Sequence, residues 1–429
     1  VSARTLAQWL EFIGRQHPDA IALGLDRVRA VLGRMTVRIE CPVITVAGTN
    51  GKGSVCAMLE AILQASGRRV GLYTSPHLLR YNERVRVDGS EVADAPLIEA
   101  FAAVERARGA VPLTYFEYGT LAALWLFGRA APDALVLEVG LGGRLDAVNV
   151  LDADCAVLTS VGLDHAEYLG DTRESVGREK AGIFRGGKPA VVADPEPPAS
   201  VLEGAARAGA QLLRLGKDFG YRAHPGQWDY WGPCGRRAAL AYPALRGARQ
   251  LRNAAAALAA LDAVHGRLPV SMQDVRRGLA AAAPPGRFQV VPGRPQVILD
   301  VAHNPEAAQS LADNLAAAGF AAETRAVFGM LRDKDIAGVA RIVAPRVTRW
   351  YLCGLGGPRG IAAEELARIL AAAGVRAPLT THLDAAAAFA AAREEAEEND
   401  KIVVFGSFLT VAEVMQSLAA TRTRGGTHG

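Results

Sequence analysis

The stretch Val43-Ile44-Thr45-Val46-Ala47-Gly48-Thr49-Asn50-Gly51-Lys52-Gly53-Ser54 sets one lysine and one hydroxyl in a glycine-rich turn behind an apolar, β-branched run. Val55, Met58, Leu59, Ile62 and Leu63 continue at helical spacing. A buried strand, a glycine loop and a helix N-terminus make an anion site, because unpaired backbone N–H groups and the helix dipole both face the ligand. Lys52 is then placed to reach the β- and γ-phosphates of a nucleotide, and the Ser54 hydroxyl to bind Mg²⁺. The spacing departs from G-x-x-x-x-G-K-[ST], since position 46 is Val and Gly53 separates Lys52 from Ser54. A flexible turn would explain the glycines but gives a lysine between two of them no packing role. The stretch reads as a nucleoside triphosphate site.

Glu138 closes a second apolar run and precedes Gly140-Leu141-Gly142-Gly143-Arg144-Leu145-Asp146. Open parallel sheets bind ligands at the carboxyl ends of their strands. An acid there, beside a phosphate loop, is placed like the carboxylate that holds nucleotide-bound Mg²⁺; its plainer role is to cap a helix or pair with arginine. Arg144 and Asp146 either bind substrate or pair with each other. Ser160-Val161-Gly162-Leu163-Asp164-His165 repeats the arrangement on a further strand and points His165 toward metal or phosphate. Lys180, in Glu179-Lys180-Ala181-Gly182-Ile183, is either a solvated charge or a phosphate contact. Farther on, Asp300 ends a short apolar run and Ala302-His303-Asn304-Pro305 opens a helix. Asp300 and His303 either hydrogen-bond a ribose or base or help cap that helix. Arg287 is placed to reach a phosphate, and Asn253 lies at a helix start of the kind that faces a cleft.

These side chains need strands that deliver them to one rim. Strand patterns over 43–47, 70–74, 134–139, 155–161 and 190–193 alternate with helical ones, after a helical N-terminal stretch over 4–35 with breaks at His17-Pro18 and over the segment Leu23 to Val28. The alternation predicts an α/β fold whose mostly parallel sheet is covered on both faces. Residues 211–245, with Trp228, Tyr230 and Trp231 among Gly and Pro, predict a small antiparallel excursion, and an alanine-rich helix is expected over 250–265. Prolines and glycines from Pro284 to Pro295 mark a linker. The expected organisation is a P-loop ATPase domain over 1–286, a linker over 287–296 and a smaller Rossmann-like α/β domain over 297–429, disordered from Thr421.

With 429 residues the chain is too long for one core. Its net charge is only +4 and its Arg and Lys are scattered, which argues against nucleic acid as a partner. No apolar run approaches the roughly 20 residues that span a bilayer, and residues 1–15 lack a signal-peptide core. The five cysteines form no C-x-x-C pair and read as small buried hydrophobes in a reducing compartment. A monomeric cytoplasmic protein acting on small anionic substrates, without membrane attachment or a redox cofactor, is expected.

Taken in order, these segments resemble the folylpolyglutamate synthase and dihydrofolate synthase family, a branch of the Mur-ligase superfamily. The resemblance rests on Gly48 to Ser54, Thr74-Ser75-Pro76-His77-Leu78, Thr114-Tyr115-Phe116-Glu117, Glu138 to Asp146, Ser160 to His165 and Glu179 to Ile183. It continues with Leu251-Arg252-Asn253-Ala254-Ala255, Pro285 to Phe288, Asp300 to Pro305 and Gly329-Met330-Leu331-Arg332-Asp333-Lys334-Asp335. The Lys52-Gly53-Ser54 order that departs from the general pattern is similar to this family's own.

The resemblance implies an ATP-dependent amide ligase. Such an enzyme adds L-glutamate to 7,8-dihydropteroate and to tetrahydrofolate (poly)glutamates through an acyl phosphate, releasing ADP and phosphate. Carried over by residue, Asn50, Gly51, Lys52, Gly53 and Ser54 hold the triphosphate, while Asn253, Arg287, Asp300 and His303 contact ATP. Ser54, Ser75, Glu138 and His165 bind a pair of Mg²⁺ ions. Lys180 matches a carbamoylated lysine that helps arrange metal. The catalytic set is Lys52, Lys180, His165 and His303, with His303 a candidate base for the glutamate amine. Leu23, Gly24, Leu25 and Asp26 join Thr114, Tyr115, Phe116, Arg144, Leu145 and Asp146 as the pterin pocket. Val148, where threonine is usual, and Arg252, where proline is common, bear only on fine specificity. The alternatives are a folylpolyglutamate synthase without the dihydropteroate activity, or another Mur-superfamily amide ligase.

Overall fold

The computed structural model describes residues 4–19 and 21–425. The chain divides into two compact units, the first reaching Ala244 and including Gln250–Ala282, the second comprising Leu245–Arg249 and the chain from Ala283 onward. In the first unit the strands are β1 (Val43–Ala47), β2 (Val70–Tyr73), β3 (Val85–Val87), β4 (Ser90–Glu91), β5 (Ala134–Glu138), β6 (Cys155–Leu158), β7 (Pro189–Val192) and β8 (Gln211–Arg214). They form one sheet in the order β4-β3-β2-β5-β1-β6-β7-β8. Neighbours from β2 through β8 run parallel, and β3 and β4 add an antiparallel edge. Ile44, Val46, Leu135, Val136, Val157 and Val191 are fully buried, as a sheet covered on both faces requires. Because β1 lies between β5 and β6, the chain leaves all three on the same rim, with Val46 opposite Glu138 and Ala47 opposite Leu158.

A separate antiparallel sheet of β9 (Gly220–His224), β10 (Gln227–Gly232) and β11 (Gly235–Ala241) forms the excursion expected there, and the alanine-rich helix runs over Ala248–Ala263. The second unit has its own sheet, of β12 (Gln289–Val291), β13 (Gln296–Leu299), β14 (Thr324–Phe328), β15 (Arg349–Cys353), β16 (Leu379–His382) and β17 (Lys401–Phe405). Its order is β12-β13-β17-β14-β15-β16, parallel except for β12. Ile298, Phe328, Trp350 and Phe405 centre its core.

Three expectations change. The span 287–296 is not a free linker, because β12 pairs with β13 and the Val301 N–H donates to the Gly286 carbonyl at 2.9 Å. Its prolines and glycines flank a β-capable stretch, Phe288-Gln289-Val290-Val291, and pairing outweighs the local breakers. The last helix, Phe408–Gly425, passes through the segment expected to be disordered from Thr421; residues 426–429 lie outside those described. The N-terminal helical pattern resolves into Leu6–Ile13 and Asp26–Leu32; Leu23 and Gly24 lie outside any helix as expected, but the expected break over Leu23 to Val28 is shorter, because the second helix already starts at Asp26. Among the described residues no helix is long and apolar enough to cross a membrane.

Candidate active site

Gly51 caps the helix Lys52–Ala65 in the left-handed conformation, φ 92°. A Cβ there would also stand 2.6 Å from Asn253 Oδ1, so both backbone and packing demand glycine. The loop is tied to the chain leaving β6. The Thr49 N–H donates to the Ser160 carbonyl (2.9 Å), the Asn50 N–H to Ser160 Oγ (3.1 Å), and Thr159 Oγ1 to the Asn50 carbonyl (2.7 Å). Lys52 Nζ donates to the carbonyls of Gly48 (3.0 Å) and Thr49 (3.2 Å), which holds the ammonium against the loop. Ser54 is buried in the first turn. Asn253 thus lies beside the phosphate loop.

Two further strand ends adjoin. The Ser75 N–H, beyond β2, donates to Glu138 Oε2 at 3.2 Å, joining the chain after β2 to the end of β5. His165 is left-handed (φ 52°), starts the short helix Ala166–Leu169, and has Nε2 3.9 Å from Asp164 Oδ2. Its loop is anchored by Asp194, whose Oδ2 accepts the Val161 N–H at 2.7 Å, and by Arg173, which donates to the Val161 carbonyl at 2.9 Å. Lys180 is buried on the helix Arg173–Ala181. The loop after β5 packs on its backbone: a Cβ at Gly143 would lie 2.8 Å from the Glu179 carbonyl. Arg144 pairs with Glu179 Oε1 (2.8 Å) rather than with Asp146, which removes one of the alternatives left open for that pair.

Among the described residues no group of three or more His, Cys, Asp or Glu stands in metal-site geometry. One carboxylate with hydroxyls nevertheless fits Mg²⁺, which keeps its waters and takes phosphate oxygens instead of an all-protein cage.

The three segments expected to line a pterin pocket converge. The Gly24 N–H donates to the Leu145 carbonyl (3.3 Å), and Arg27 joins its own loop to the third segment by donating to the Ala22 carbonyl (2.6 Å) and pairing with Glu117 (2.8 Å). Thr114 and Glu117 form a reciprocal capping box on the helix Tyr115–Ala130. The Phe116 ring lies against Gly140, where a Cβ would be 2.6 Å away, and 5.9 Å from the Tyr73 ring. Asp146 accepts the N–H groups of Leu141 (2.8 Å) and Val148 (3.1 Å). Burial pushes its carboxyl up to about 7 despite those bonds and the nearby Lys52 charge.

In the second unit, Asp300 follows β13 and accepts the N–H groups of Phe288 (2.9 Å) and Ala302 (2.8 Å). Burial raises its pKa, and the Arg287 charge opposes that rise. Asn304, not Asp300 or His303, caps the helix Pro305–Ala317. His303 Nδ1 donates to the Val301 carbonyl (2.8 Å), so Nε2 is the basic nitrogen of the neutral ring. Phe408 gathers the group, with the Arg287 guanidinium 5.3 Å above its ring and the His303 ring 6.0 Å away.

Sequence reasoning gave no task to Arg27, Thr159, Asp194 or Phe408. Two of them had a signal: Asp194 follows the apolar β7 much as Glu138 closes β5, and Phe408 follows a strand and glycine turn like those at the other sites.

Two family profiles match, the Mur ligase middle domain over residues 46–261 and the Mur ligase glutamate ligase domain over 286–408. A dihydrofolate synthase/folylpolyglutamate synthase of Escherichia coli (strain K12) is 47% identical over 425 residues, covering 99% of this chain and 98% of that protein. A structure of E. coli FolC in complex with DHPP and ADP superposes with a TM-score of 0.93 at 48% identity, covering 98% of this chain and 99% of the other. A bifunctional folylpolyglutamate synthase/dihydrofolate synthase with Mn, AMPPNP and L-glutamate bound gives 0.89 at 47% identity, covering 97% and 98%.

Proposed function

The chain belongs to the dihydrofolate synthase/folylpolyglutamate synthase family of Mur ligases, and on that premise we propose that it joins L-glutamate to 7,8-dihydropteroate and to tetrahydrofolate (poly)glutamates. It is an ATP-dependent ligase that forms an amide bond. The observation that carries the reading is the convergence of the phosphate loop after β1, Glu138 at the end of β5 and the Ser160 to His165 loop after β6 on one rim.

A carboxylate does not react with an amine, so its oxygen first attacks the γ-phosphorus in line while the bond to ADP breaks, leaving an acyl phosphate. Lys52 offsets charge growing on the transferring oxygens, and the N–H groups at Gly51 to Ser54 hold the triphosphate with Asn50 and Asn253. A divalent ion bound with ATP withdraws charge from the phosphate oxygens. Ser54, Ser75, Glu138, His165 and a carbamoylated Lys180 are the residues that would hold it, as a pair of Mg²⁺ ions. The glutamate amine then attacks the acyl carbon and phosphate leaves; His303 Nε2 is assigned as acceptor of the amine proton. Arg287 and Asp300 are assigned to ATP. Leu23 to Asp26, Thr114 to Phe116 and Arg144 to Asp146 are assigned to the pterin. The protein is assigned to the cytoplasm as a monomer.

The test is ADP release with ATP, Mg²⁺ and L-glutamate, run with dihydropteroate and separately with tetrahydrofolate, the products weighed by mass spectrometry. Glutamylation of both is expected. Turnover of tetrahydrofolate alone would remove the dihydropteroate activity, and turnover of neither would overturn the folate reading.

A further inference from the structure

Beyond Ser75 the chain carries a cation to which nothing above gives a task. Arg84 ends the short 3-10 turn Tyr81–Arg84 ahead of β3 and is half-buried. Its guanidinium lies over two rings, 5.3 Å from Tyr81 and 5.6 Å from Tyr115, and its Nε donates to His77 Nδ1 at 2.8 Å. The rings brace each other edge to face at 5.8 Å. The adjacent acid, Glu83, spends its carboxylate on the N–H groups of Leu78, Leu79 and Arg80. Among the described residues, no carboxylate lies within ion-pair distance of Arg84. An arginine withdrawn from water ordinarily has a carboxylate partner. One stacked on two rings and steered by an imidazole nitrogen is pre-organised for an anion that arrives from outside.

Its place narrows what that anion is. Tyr115 stands between Thr114 and Phe116 in the segment assigned to the pterin. On the other side, the Arg84 carbonyl accepts the Thr74 N–H (3.0 Å), next to Ser75, whose N–H donates to Glu138. Arg84 therefore sits between the ring pocket and the strand ends where phosphate chemistry is expected, the stretch an acceptor's acid group must cross. We propose that Arg84 binds the carboxylate of the acceptor substrate, the benzoate of dihydropteroate and the terminal glutamyl carboxylate of a folate, and fixes its plane through paired N–H···O bonds. The proposal rests on the folate reading above.

The experiment measures ATP-independent binding of dihydropteroate and of its neutral carboxamide to the wild type, Arg84→Gln and Arg84→Lys. The wild type should prefer the acid by about tenfold or more, the gain expected of a charge-assisted pair. Arg84→Gln should lose that preference and Arg84→Lys keep part of it, while KM for glutamate and ATP moves less than about twofold. The lysine variant retains the charge, so the comparison survives if the glutamine variant melts early. An unchanged acid preference in both variants, or a rise confined to the glutamate KM, would overturn the subsite. Failure of the wild type to bind either compound would instead overturn the folate reading, and the subsite with it.

Discussion

Gly51 shows how little freedom single residues have at the rim. Its φ of 92° costs any side chain about 1–2 kcal/mol, and the added Cβ would press on Asn253 Oδ1 at 2.6 Å. Gly51→Ala should weaken binding of an ATP analogue on the order of tenfold while dihydropteroate affinity stays within about twofold; equal losses for both ligands would show a general collapse instead. Lys52→Ala should abolish turnover, and near-normal ADP release from that variant would remove Lys52 from the site. Asp146 gives a pH signature with a definite sign. Its carboxyl rises from the ordinary 3.8 to about 7 on folding, so between those values the folded chain keeps a proton that the unfolded chain has lost. Stability must then fall as pH rises through that window and level off above it, by up to a few kcal/mol. Thermal melting from pH 5 to 8 should slope down more steeply for the wild type than for Asp146→Asn; parallel curves would mean that Asp146 is ionised throughout.

Among the elements, the helix Tyr115–Ala130 would join stability to specificity under the proposed pterin assignment. The Thr114 and Glu117 capping box satisfies its first turn, and Arg27 ties Glu117 to the chain just ahead of the helix Asp26–Leu32, where Leu23 to Leu25 lie. Thr114→Ala should cost about 1 kcal/mol. Glu117→Gln should cost about 2 kcal/mol, because the half-buried Arg27 loses its counter-charge, and it should also raise KM for dihydropteroate more than KM for ATP. A purely structural helix start would leave the two KM values in step. The capping box leaves a local signature, Thr and Glu three residues apart ahead of an apolar run, although Thr114 and Glu117 stood out in the sequence only through the family resemblance and the pterin pocket. Arg27 leaves none, because its partner lies 90 residues away and only the folded chain brings them together. The same contrast covers the larger elements. β1, β5 and β6 could be read from apolar runs that end in glycine turns, whereas β12 was hidden by prolines and glycines whose local effect tertiary pairing overrides. The reach of Arg144 to Glu179 instead of Asp146 depends likewise on the loop after β5 docking on the helix Arg173–Ala181, which no spacing encodes.

For the molecule as a whole, the α/β alternation interrupted near Pro284 was enough to expect two sheets, and each unit has a core of its own. In the second unit the central strands are apolar, and Phe328, Trp350 and Phe405 pack ring on ring, with Phe328 and Phe405 4.9 Å apart. Its size lies within the ordinary range for an independent domain. What an excised chain starting at Ala283 would lose is the segment Leu245–Arg249, and with it the Arg249 pair to Glu306. Both partners of that pair are partly exposed, so losing it should cost only about 0–1 kcal/mol. Removing the buried Leu245 side chain adds about 2 kcal/mol, which the core around Phe328, Trp350 and Phe405 can still outweigh. The fragment 283–429 should therefore fold alone and melt in one cooperative transition, with dispersed amide resonances and no ATP turnover. Helical circular dichroism without a cooperative melt, together with strong binding of a hydrophobic dye, would show instead that this sheet acquires fixed packing only in the presence of the first unit.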